Sequence, residues 1–197
     1  LIGRMIAEAG LVDHGIDRIR AALELDGGLV LARIDLARLL ALRGETGLAQ
    51  ELLSERVLGS THLLWLTQLR LALWRGDLAA ARAMAQDLPP DALENAQVAR
   101  LSRFLTGGAD EPSAEAAASP RRRAFEAQIS AEIACVSGDR AAALSALEDA
   151  TALGLTDLSW IDRCPIFTEL RETERLRALR VVVEGRARAT LGQLDLA

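Results

Sequence analysis

Residues 69–86 read Leu-Arg-Leu-Ala-Leu-Trp-Arg-Gly-Asp-Leu-Ala-Ala-Ala-Arg-Ala-Met-Ala-Gln. Two runs rich in Leu and Ala, both strong helix formers, meet at Gly76-Asp77. Gly suits the left-handed cap that ends a helix, and Asp suits the positive end of the helix that follows. The same junction recurs in both directions along the chain. Gly10, Gly44, Gly76, Gly108 and Gly138 stand 34, 32, 32 and 30 residues apart. A period of that length in a helical sequence marks a stacked array of helix hairpins.

Alignment on these glycines gives each unit a first and a second helix. Seven residues before them lie Gly3, Ala37, Leu69, Leu101 and Ala131; four before lie Ile6, Leu40, Ala72, Phe104 and Ala134. Positions three apart share one helix face. Five residues after the glycines lie Gly15, Ala49, Ala81, Ser113 and Ala143, all small. The residue seven before is small in three of the five units and the residue five after in all of them, which predicts close contact between the two helices of a unit.

The pattern resembles the tetratricopeptide repeat family. The likeness rests on Gly-Asp at the turn, the small residue five positions on, and Trp65 eleven positions before Gly76. It covers roughly residues 1–150. The family's closing Pro is missing from most units, and its usual aromatics are replaced here by Leu, Ile or Ala. The resemblance implies an all-α fold: a right-handed superhelical solenoid of stacked antiparallel helix hairpins. About five hairpins are expected, followed by C-terminal capping helices.

On this reading residues 1–153 form the repeats and 154–197 the cap. Residues 109–120 admit two readings, a linker or a degenerate second helix of the fourth unit, stopped by Pro120. The triplet Arg121-Arg122-Arg123 opens the fifth unit. From Gly154 the period breaks. The stretch with Trp160, Ile166, Phe167, Leu170, Leu176 and Leu179 is similar to the closing segment of bacterial proteins that join such repeats to a winged-helix, cyclase or kinase domain. An array must cover its last apolar face, and these side chains suit that task.

Composition narrows the function. Half of the 197 residues are hydrophobic and only 3% aromatic. All 23 basic residues are Arg, so a Schiff-base or P-loop lysine is impossible. A net charge of −5 argues against a general nucleic-acid or anionic-membrane binder. No apolar run reaches the roughly 18 residues of a membrane span. His14 and His62 stand far apart, and neither Cys135 nor Cys164 belongs to a cluster with metal spacing. No catalytic residue, metal site or cofactor is expected, nor an enzyme.

One set of polar residues stands out. Six residues before the turn glycines lie Arg4, Arg38, Arg70, Ser102 and Glu132. The resemblance places this offset on the concave groove, where peptide-binding members carry ligand-binding polar residues. Ile34 and Leu66, with Val98, lie ten before the glycines, and Leu42 and Trp74 two before. An apolar groove with a row of guanidiniums suits a peptide carrying carboxylates. The competing reading pairs these arginines with acids of neighbouring helices, such as Glu8 or Asp35.

The expected function is therefore a protein-interaction scaffold that takes a protein or acidic peptide partner, within a larger bacterial-type protein. The alternative is a sensory domain controlling an attached winged-helix, cyclase or kinase domain. A homo-oligomer built through exposed end faces is a third reading. Acidity and cysteine usage point to the cytoplasm; the first residue is not Met, so a periplasmic location stays open.

Overall fold

The computed structural model describes residues 2–54, 61–108 and 119–195. Among these residues the chain is all-α, with no strand. The helices are α1 (Ile2–Glu8), α2 (Val12–Leu25), α3 (Val30–Leu42), α4 (Thr46–Leu52), α5 (His62–Trp74) and α6 (Leu78–Gln86). They continue with α7 (Ala96–Leu105), α8 (Pro120–Val136), α9 (Arg140–Ala152), α10 (Leu158–Arg163) and α11 (Glu174–Gln193). Short 3-10 turns cover Pro90–Glu94, Pro165–Phe167 and Leu170–Glu172.

Six glycines take positive φ: Gly10, Gly44, Gly76, Gly107, Gly138 and Gly154. Each donates its N–H to the carbonyl three residues back, and the residue after it donates to the carbonyl five back. Examples are Asp77 N to Ala72 O at 3.1 Å and Asp139 N to Ala134 O at 2.9 Å. This pair of bonds satisfies carbonyls that the helix end would otherwise leave open. At the fourth turn the left-handed residue is Gly107, not the expected Gly108. Gly108 N instead closes the second bond, to Arg103 O at 2.8 Å. Ser102 consequently stands five residues before its turn glycine, out of register with the arginines.

Side-chain caps start several helices. Asp77, Asp139 and Asp157 accept the backbone N–H of Ala80, Ala142 and Trp160 at 2.9–3.0 Å. Each relieves one of the orphan donors at a helix start. Ser119 caps α8 in the same way, and Pro120 occupies its first helical position, where a missing N–H costs nothing. Pro120 thus opens a helix where it was expected to stop one. The two readings of the preceding stretch concern residues 109–118, which lie outside the described residues.

The chain forms two compact units. The first draws on Leu1–Gly59, Thr156–Cys164 and Arg180–Ala197; the second on Ser60–Leu155 and Pro165–Leu179. In the first, α1 packs on α2, α2 on α3, and α3 on α4. The predicted close approach is realised at the first hairpin. A Cβ placed on Gly15 would lie 2.4 Å from the Cβ of Ala7 and 2.5 Å from Gly3 O. In the second unit α5 packs on α6 and α7, and α8 on α7 and α9. The core offsets hold across both: Ala37, Leu69, Leu101 and Ala131 are fully buried, as are Ala81 and Ala143. In these helices hydrophobic burial at fixed spacing, not aromatic bulk, supplies the core.

The stretch from Gly154 onward, expected to cap the last hairpin, is divided between the units. Helix α10 packs on α1 and α3 in the first, and the Pro165–Phe167 turn packs on α5 and α8 in the second. Trp160, Phe167, Leu170 and Leu176 are buried, while Ile166 and Leu179 are only half-buried.

Candidate functional site

The residues expected to line a groove are mostly interior. Ile34, Arg38 and Leu42 of α3 and Leu66, Arg70 and Trp74 of α5 are each less than 9% exposed. Of the arginines, only Arg4 keeps a substantial open face, with 34% of its side chain exposed. Arg4 and Arg38 come together in the first unit; Arg70 belongs to the second. In both places the guanidiniums meet carboxylates of this chain, the geometry of the competing reading.

In the first unit, five charged side chains from three helices converge. Arg4 Nε donates to Glu8 one turn on at 2.7 Å, and its Nη1 to Asp35 on α3 at 3.4 Å. Arg38 pairs with Asp157 at the start of α10, and its Nη1 stands 3.9 Å from Glu8. Three carboxylates thus share two guanidiniums. Burial pushes the Asp157 carboxyl above the usual aspartate value; Arg38 opposes the shift, and Glu8 adds to it. Burial likewise raises Asp35, against the pull of Arg4 and Arg38. For Arg4 burial acts downward, but Glu8 and Asp35 outweigh it and hold the guanidinium more strongly protonated. Loss of water on burial is the leading cause at both aspartates, and the guanidiniums do not offset it, so both shift the same way.

Asp157 does two jobs in this cluster, since Oδ1 also accepts the N–H of Trp160 at 3.0 Å. Two residues on, the Ser159 hydroxyl donates to the Ala7 carbonyl near the end of α1. The Leu158 side chain sits against the α1–α2 turn, where a Cβ added to Gly10 would lie 3.3 Å from Leu158 Cδ2. Farther along α10, Arg180 of α11 grips Asp162 with Nε and Nη2, at 2.7 and 2.9 Å.

The second unit holds a tighter arrangement. Arg70 Nε and Nη2 reach the two oxygens of Glu132 on α8 at 2.9 and 2.6 Å. Glu132 is fully buried. The guanidinium carbon lies 5.3 Å from the centroid of the Trp74 ring and 5.1 Å from that of Phe125. A forked, charge-assisted pair with two aromatic rings near the cation gathers the strongest contacts available to a buried arginine. Alongside, Arg100 donates to Ser130 at 2.8 Å and Gln97 to Glu126 at 3.2 Å. Burial and the nearby Glu132 charge push the Cys135 thiol up to about 12, so it is protonated and unreactive at neutral pH.

Glu132 was visible in the sequence as a member of the same offset as Arg70, but its sign made it look like a departure from the row. Asp157 and Phe125 were not singled out. The signal for Asp157 was present: a Gly-turn, then an Asp, then an apolar run, as at Gly76-Asp77 and Gly138-Asp139.

No group of three or more His, Cys, Asp or Glu side chains able to hold a metal ion occurs among the described residues. No helix among them is long and apolar enough to cross a membrane. Comparison with protein-family models, with curated proteins and with solved structures finds no match. The class the geometry defines is therefore an all-α protein of glycine-turned helix pairs, with buried arginine–carboxylate clusters in each of its two units.

Proposed function

We propose that the chain is a protein-interaction module built on a right-handed, tetratricopeptide-like superhelix of helix hairpins. Its first unit offers an arginine-bearing face, formed by Arg4 with Arg38, to a protein or peptide partner that carries carboxylates. The observation that carries this reading is that Arg4 keeps 34% of its side chain exposed while engaging carboxylates by charge-assisted hydrogen bonds. A partner's acidic side chain would meet the same donors with the same geometry. The module belongs to a larger bacterial-type protein.

The test is chemical crosslinking and affinity capture from the source cell with the native chain and with Arg4→Glu. Arg4 is the member of the row with an open face, so its charge can be reversed without burying a new one. Partners crosslinked through α1 and lost with Arg4→Glu support the interaction face. An unchanged partner set removes it.

A second reading is favoured by the packing of α10 on α1 and α3. Helices already engaged by the chain's own C-terminal region suit a regulatory domain that answers to an attached winged-helix, cyclase or kinase domain.

A further inference from the structure

We infer that residues 157–164, built around α10, are an autoinhibitory strap. They occupy the α1–α3 face of the first unit in the way an acidic, Trp-bearing peptide partner would, and such a partner must displace them. This rests on the interaction reading above and adds its regulation and the partner's chemistry.

Three contacts define the seat, and the side chains that follow them are buried. The Asp157 carboxylate engages Arg38. The Ser159 hydroxyl donates to the Ala7 carbonyl. The Leu158 side chain rests on the Gly10 turn. Trp160, Ile161 and Cys164 bury their side chains almost completely. The polar contacts use the donors and acceptors that a free peptide would use. A carboxylate at a helix N-cap, a hydroxyl two residues later and an indole one further on specify the ligand: Asp-x-Ser-Trp followed by an apolar residue.

The strap is separable from its seat. Ser159 and Ala7 are 152 residues apart, and Arg38 and Asp157 are 119 apart. Neither contact belongs to a local helix pair. With six residues, α10 is far shorter than the roughly 12–15 residues an isolated helix needs in water. The seat holds it helical, so leaving the seat is an order–disorder step of the kind that binding segments use. It is also held by the Arg180–Asp162 fork, whose side chains are 39% and 31% exposed. Solvent weakens that clasp, while the Arg38–Asp157 pair, at 10% and 6%, is shielded.

Hydrogen exchange on the full chain is the first measurement. Amides of 158–164 should exchange at least about tenfold faster than those of α3, through local opening. The second measurement is binding in trans of a fluorescent peptide of residues 154–164. Removal of the Arg180–Asp162 clasp by Arg180→Ala changes none of the seat residues and should tighten peptide binding roughly fivefold. The same peptide carrying Asp157→Asn should bind that variant about tenfold more weakly. Changing the peptide rather than the protein keeps folding out of the comparison. The strap is overturned if 158–164 exchange only together with α3, if Arg180→Ala fails to raise binding, or if the two peptides bind alike. None of these results needs an external partner, so they stand apart from the capture experiment on the interaction face.

Discussion

The charge clusters of the two units differ in how far they are closed off. In the second unit the Arg70 guanidinium meets the Glu132 carboxylate through two hydrogen bonds, with side chains 7% and 0% exposed, beside two aromatic rings. In the first, two guanidiniums serve three carboxylates, and Arg4 keeps an open face. A pair sealed from solvent leaves nothing for an outside ligand to exchange with. A surplus anion beside a partly exposed cation does. The second cluster reads as a structural staple and the first as a place where contacts can be traded.

The largest effect is therefore expected at the staple. Glu132→Gln keeps the shape of the side chain but removes the charge that both Arg70 nitrogens meet. Loss of one partner of a buried ion pair typically costs about 3–5 kcal/mol. Denaturant unfolding should show a loss of that order, with an unchanged denaturant slope if two-state behaviour persists. A loss below about 1 kcal/mol would put the pair in the class of solvent-screened surface bridges and erase the contrast between the units.

The helices and their turns were largely legible in the sequence, because both are local. Leu and Ala at fixed spacing, a left-handed glycine and a capping Asp act over a few residues. The misses were local too. Gly107 and Gly108 are adjacent, and only the hydrogen bonds decide which of them turns left-handed. Pro120 suits either the end of one helix or the first turn of the next, and Ser119 as cap decided it. The arginine row was legible as a set, but its environment was not. Arg70 and Glu132 lie 62 residues apart and Arg38 and Asp157 lie 119 apart, and no local pattern encodes such pairings. The C-terminal stretch was readable as apolar and in need of cover; which helices it would meet was a matter of long-range packing.

The first cluster predicts an unusual pH response. Asp157 and Asp35 both hold protons more readily folded than unfolded, since burial raises them above the ordinary value of 3.8. The folded state then binds more protons, and stability falls as pH rises through the window from that value up to the raised folded ones. Asp157→Asn removes one of these titrations and should flatten that part of the stability–pH curve, read by thermal unfolding at a series of pH values. An equal slope in native protein and Asp157→Asn would show that Asp157 does not carry the raised titration.

The smallest effect should come from Arg4→Ala. Its guanidinium spans Glu8 and Asp35, but a third of the side chain faces solvent, which screens both pairs. A change within about 1 kcal/mol is expected, and added salt should shrink it further. The substitution also removes one of two cations from a site with three carboxylates. The aspartate shift should therefore grow, and the stability–pH curve should steepen over the window that Asp157→Asn flattens. Thermal unfolding of Arg4→Ala at low and high salt reads both quantities. A small stability loss with a steeper pH response would fit a cluster that tolerates exchange of its outer cation. A loss as large as that of Glu132→Gln would make Arg4 a second staple and leave the first unit as closed as the second.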